Sequence, residues 1–155
     1  LDFLGLAPEQ IQGFGLGVMA ARARFCAREM GLPPEDIRVY GPHGAGLVAA
    51  NAPDAGYDSA ASAALTAATR DMNLRVRALG FKPYLAPGLS SAAVSILQLL
   101  RGREHFGAVP LGGVYFGCRS RMTRLGPQIC REALAEPLQE RIAVAFRELE
   151  DFSDA

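Results

Sequence analysis

Residues 58–79 constrain the fold more than any other stretch. Ala61, Leu65, Ala68, Met72, Val76 and Leu79 recur at three- and four-residue steps, the period of one helix face. The run is bracketed by punctuation. Asn, Pro, Asp and Gly crowd residues 51–56 before it, and Gly80 follows it. A helix of this length needs a partner layer for its apolar stripe, so the rest of the chain must supply one.

The same reading places three more helices. Residues 16–30 form one, ended by Gly31 and the Pro33-Pro34 pair. Residues 89–100 form another, with Ala93, Ile96, Leu97 and Leu100 inward and Arg101, Arg103 and His105 at its C-terminal end, where cations suit the helix dipole. The last runs over residues 137–150 with Pro137 in its first turn and a stripe of Leu138, Ile142, Phe146 and Leu149. Residues 37–40 and 47–50 read as a hairpin. Residues 106–116 and 120–125 read as an antiparallel pair turning at Gly117. Helices and antiparallel strands mix without a strand–helix–strand alternation, so the class is α+β, with long helices packed on antiparallel strands.

Composition removes several functions. Half of the 155 residues are apolar, enough for one domain with a core, and 16 basic residues balance 16 acidic ones. A neutral chain without tryptophan gives no electrostatic or stacking reason to bind nucleic acid or an anionic membrane. The longest charge-free apolar stretch, residues 84–100, is too short and broken to span a bilayer. Cys26, Cys118 and Cys130 share no metal spacing and fit reduced thiols of a cytoplasmic protein. With two histidines and no acidic cluster, no metal site is expected. Gly13-x-Gly15-x-Gly17 opens a helix, but no apolar strand runs into it. It reads as a close-packing helix entry rather than a dinucleotide cradle.

The candidate chemistry is a pair of basic groups. Arg22 sits on an apolar helix, and His43 lies in the turn Gly41-Pro42-His43-Gly44, with a short strand between them. A guanidinium holds a carboxylate with two parallel charge-assisted hydrogen bonds. An imidazole exchanges a proton with an adjacent hydroxyl or carbonyl near neutral pH.

Residues 13–25, Gly-Phe-Gly-Leu-Gly-Val-Met-Ala-Ala-Arg-Ala-Arg-Phe, resemble a segment of the lactate/malate dehydrogenase family, in which a turn opens the helix carrying an aspartate and then the substrate arginine. Val39-Tyr40-Gly41-Pro42-His43-Gly44 resembles that family's strand and histidine turn. Gly80-Phe81, Gly88-Leu89-Ser90, His105 and Gly113-Val114-Tyr115 follow in the family's order. The resemblance is to the family's C-terminal, substrate-binding domain. It implies a single domain over residues 1–155, with the nucleotide-binding domain outside this chain, as an opening on Leu1 would suit.

The resemblance further implies His43 as acid/base, Arg22 (or, two residues on, Arg24) as the carboxylate ligand, and Lys82 near the substrate loop. NAD or NADP would be held mainly by the other domain, a small 2-hydroxy or 2-oxo carboxylate would be the substrate, and a homo-oligomer would form partly through the small residues Val18, Ala20, Ala21 and Cys26. The isolated chain would then be inert. Two features depart from the pattern. Met19 stands where the family has its aspartate, and Pro42 and Ala45 replace the acidic neighbours of the histidine. A carboxylate raises and orients a histidine; a thioether does neither. A non-catalytic relative that binds a small carboxylate, or an assembly domain, is the alternative.

Overall fold

The computed structural model describes residues 4–82 and 90–153. Among the described residues a 3-10 turn (Pro8–Gln10) precedes four α-helices and five strands, in order: α1 (Gly15–Glu29), β1 (Arg38–Tyr40), β2 (Val48–Ala50), α2 (Ser59–Ala78), α3 (Ala92–Leu100), β3 (His105–Leu111), β4 (Val114–Thr123), β5 (Gly126–Ile129) and α4 (Glu136–Ser153). The α+β expectation holds.

Local chemistry sets the helix ends. Gly31, at φ +70°, lets the Leu32 N–H reach back to Ala27 O at 2.8 Å and close α1. The Asp58 carboxylate accepts from the Ala61 N–H at 2.6 Å and caps α2. Gly80, at φ +83°, ends it.

β1 and β2 pair antiparallel, with Val39 opposite Ala49 and Tyr40 opposite Val48. Side chains alternate across a strand, and here both faces are buried. Val39 and Ala49 join Leu16, Met19, Ala23 and Leu65 in a core against α1 and α2. Tyr40, Val48 and Ala50 join Phe116, Leu138 and Ala145 in a second core against β4 and α4. The free edge of β2 is closed by side chains of α2. The Ala49 N–H donates to Thr66 Oγ1 at 3.0 Å and the Asn51 N–H to Ser62 Oγ at 3.0 Å. Buried backbone groups require such partners.

The inner face of α2 is therefore Ser62, Leu65, Thr66 and Thr69, while Ala61, Ala68, Met72 and Val76 flank it half-buried and Leu79 is exposed. The period was legible. The hydroxyls on the buried face were not, because they answer a strand edge that the sequence does not display.

Three expectations about the second sheet need correction. The β3–β4 hairpin turns at Gly112-Gly113, both at positive φ, not at Gly117. A glycine pair of this kind is what a tight hairpin demands. β5 pairs with the end of β4 as a third strand, Ser120 opposite Ile129, where the sequence reading has only a two-stranded pair. His105 begins β3 instead of ending α3, and is 1% exposed.

Candidate functional site

The hairpin buried on both faces leaves its tip outside. Residues 41–46 form that tip, and His43 on it is exposed. The tip is held from below by backbone. The Gly41 N–H donates to Gly117 O at 2.9 Å. A Cβ on Gly117 would strike Gly41 O and the Leu16 side chain. Gly117 is thus a strand glycine required by close backbone approach, a use that its place in the sequence did not reveal.

The His43 ring lies over the first turn of α1. A Cβ on Gly15 would sit 3.6 Å from His43 Cβ and Cδ2. Arg22 follows Gly15 by seven residues, which returns to the same helix face about 10 Å further along the axis. Arg22 is half-buried on that face.

Arg24 belongs to another face. Its guanidinium lies over the Phe106 ring, 5.4 Å from the centroid, beside a groove of about 370 Å³ shared with Arg28, Val94, Ser95 and Gln98 of α1 and α3. Of the two arginines, only Arg22 shares a face with the histidine contact. Neither Arg22 nor His43 has a hydrogen-bond or ion-pair partner among the described residues.

Met19 is 2% exposed and packed into the apolar core with Leu16, Ala20 and Ala23. Among the described residues no carboxylate forms an ion pair with His43. Lys82 is exposed, four residues beyond the end of α2. Gly88 and Leu89, through which the loop was matched, lie outside the described residues.

The three glycines that open α1 are each in use. Gly13 exchanges both backbone hydrogen bonds with Ala108, at 3.1 and 2.7 Å, Gly15 is covered by His43, and Gly17 abuts Ser95. They let the entry of α1 approach its neighbours closely, as the sequence reading held. Val18, Ala20 and Cys26 face the chain's own core; of the small residues assigned to assembly, only Ala21 points out.

Beneath the tip, a recess of about 340 Å³ separates Ala45, Gly46 and Leu47 from Glu140, Arg141 and Glu148 of α4. Arg141 donates to the Tyr57 hydroxyl at 3.0 Å. The hairpin itself is tethered by Glu132. Its carboxylate accepts from Arg38 Nε at 3.0 Å and the Tyr40 hydroxyl at 2.8 Å, and lies 3.5 Å from Arg119, which also meets Glu104 at 3.4 Å. Burial, then the Glu132 charge, holds the Tyr40 hydroxyl protonated far above the range of a free phenol. Residues so distant in sequence gave no signal of this cluster. The cysteines are free. Cys26 and Cys118 are buried and Cys130 half-buried, and burial pushes the Cys118 thiol up to about 12. Among the described residues no helix is long and apolar enough to cross a membrane.

No protein-family profile and no curated protein matches this chain. Solved structures do. Malate dehydrogenase from Archaeoglobus fulgidus, in complex with NADH, aligns at a TM-score of 0.73 and 16% identity, over 95% of this chain and 53% of that one. The malate dehydrogenase of Plasmodium falciparum aligns at 0.69 and 16%, over 97% and 56%. That of Aeropyrum pernix aligns at 0.67 and 16%, over 95% and 56%. The fold is that of the C-terminal domain of the malate dehydrogenases, and the chain spans about half the length of those proteins.

Proposed function

We propose that this chain is the substrate-binding half of a nicotinamide-dependent 2-hydroxy-acid dehydrogenase. Arg22 holds the substrate carboxylate and His43 exchanges the proton of the adjacent hydroxyl or carbonyl. The observation that carries the reading is the shared face of α1. The His43 ring covers Gly15, and Arg22 lies two turns along the same side, with neither group engaged elsewhere among the described residues. A planar guanidinium takes a carboxylate in a fixed bidentate orientation, which places the 2-position of the ligand in one defined direction. With that direction toward the exposed imidazole, Nε2 or Nδ1 gives a proton to a 2-oxo oxygen or takes one from a 2-hydroxyl. The nucleotide, which supplies and accepts hydride in such enzymes, is assigned to chain outside these residues, since the glycines of α1 are occupied by packing.

Lys82, beyond α2, is the candidate for a second substrate carboxylate, which favours a dicarboxylate such as malate. Assembly into a homo-oligomer belongs to the same reading. The outward Ala21 and Phe25 of α1 and the exposed Val94 and Leu97 of α3 offer the apolar surface for it.

One observation favours a second reading. Among the described residues no carboxylate pairs with His43, and Met19 is locked into the core. Losing an orienting carboxylate lowers turnover by about a thousandfold or more in analogous dyads. A protein that binds a small carboxylate without turning it over would show the same geometry.

Assay of the full-length protein with nicotinamide cofactor and a panel of 2-oxo acids separates the two. Turnover favouring oxaloacetate, shifting toward pyruvate in Lys82→Ala, supports the enzyme. Binding of oxaloacetate or malate by calorimetry with no turnover supports the second reading. Absence of binding defeats both.

A further inference from the structure

Arg141 is a half-buried cation with neutral partners only. From α4 it donates to the Tyr57 hydroxyl at 3.0 Å and to Thr66 Oγ1 at 3.4 Å. These contacts fix the guanidinium against the start of α2 and leave its other N–H groups unspent. Among the described residues no carboxylate pairs with it. A cation drawn partly out of water without a counter-charge calls for an acceptor.

Two carboxylates stand at the same recess and are likewise unpaired among the described residues. Glu140 and Glu148 line, with Arg141, the space of about 340 Å³ beneath the hairpin tip. Glu148 follows Arg141 by seven residues and so returns to the same side of α4. Neither glutamate lies within ion-pair distance of the guanidinium. Around these charges the walls are apolar: Leu47 and Val48 of the hairpin, Val144 and Ala145 of α4.

The signs select the ligand. A plain carboxylate would meet Arg141 but face two uncompensated glutamates. A plain amine would meet the glutamates but face the guanidinium. A small molecule that carries both signs satisfies all three groups, and the volume suits one. We propose that the recess beneath the hairpin tip binds an apolar α-amino acid, with its carboxylate on Arg141 and its ammonium toward Glu140 and Glu148. The apolar walls receive its side chain. The site uses neither Arg22 nor His43 and does not rest on the function proposed for them.

Leucine titrated into the full-length protein tests this by NMR. The Gly46, Leu47 and Val48 amide signals should move and saturate, with a Kd of about 1 mM or tighter. N-acetylleucine, which lacks the cation, and leucine methyl ester, which lacks the carboxylate, should each bind about tenfold or more weakly. Glu140→Gln/Glu148→Gln should weaken leucine by a similar factor. Arg141→Gln should abolish the response; if that chain does not fold, the ligand series and the glutamate variant decide. Arg22→Ala should leave leucine binding intact, which separates this site from the carboxylate site proposed above. No response at about 10 mM leucine, N-acetylleucine binding as tightly as leucine, or a response lost in Arg22→Ala would overturn the proposal.

Discussion

The two histidines occupy opposite kinds of environment. His43 sits on an exposed hairpin tip, packs on one glycine and has no polar partner among the described residues. His105 is buried at a strand end with a polar group at each ring nitrogen. Burial and partners bind a histidine to the fold. Exposure over a tightly fixed backbone leaves it free to exchange protons with a ligand. The contrast lies in their neighbours: one residue type is buried and bonded at a strand end and exposed at a hairpin tip.

The largest effect should come from forcing the two histidines to resemble each other. Met19→Asp returns a carboxylate to α1 at a residue that is 2% exposed among apolar side chains. If it stays buried, the change should destabilise the protein by about 3–5 kcal/mol in urea unfolding. A much smaller loss, accompanied by a raised His43 pKa, would mean that the aspartate reaches the imidazole and that His43 also accepts a partner.

Glu132→Ala comes next. It removes the carboxylate that Arg38, Tyr40 and Arg119 share, leaving Arg119 only Glu104 and Arg38 only backbone carbonyls, at a loss of about 3 kcal/mol. Because Arg38 and Tyr40 belong to β1, the His43 NMR signals should shift more than those of His105. Equal shifts at both would show that the tether serves the whole fold and not the hairpin.

Gly117→Ala should follow, at about 2 kcal/mol, since its Cβ would press on Gly41 O and Leu16. Its signature is local: loss of protection at the Gly41 amide, with the Gly13 amide unaffected.

The smallest effect is in pH. Burial lowers the folded-state pKa of His105. Its neutral form therefore contributes stability that is fully present above the unfolded value of about 6.5 and is lost as the pH falls through the folded value. That acid-side slope in urea midpoints should vanish in His105→Gln and survive in His43→Gln. The reverse pattern would exchange the roles given to the two residues.

What the sequence disclosed follows the range of the interactions involved. α1, α2 and α4 were legible to within a few residues because period, cap and glycine stop act within one element. The β1–β2 hairpin was legible for the same reason. Gly117 was misplaced as a turn because its role depends on Gly41, 76 positions away, and a glycine answering a distant backbone looks like any turn glycine. β5 was missed because four residues beginning Gly126-Pro127 carry little strand character without β4 beside them. Arg22 and His43 were chosen from resemblance. The helical spacing in the structure favours Arg22 over Arg24, which local sequence alone left open. The Glu132 cluster and the Gln12–His105 contact join residues too far apart for any motif.

The central claim is that Arg22 and His43 form one site for a small carboxylate, and the histidine NMR signals test it directly. Malate or oxaloacetate, added to the full-length protein with its nicotinamide cofactor, should shift the His43 ring signals while leaving those of His105 in place. The response should weaken about tenfold or more in affinity in Arg22→Ala and persist in Arg24→Ala. A His43 signal unmoved at saturating ligand, or a response indifferent to Arg22→Ala, would contradict it.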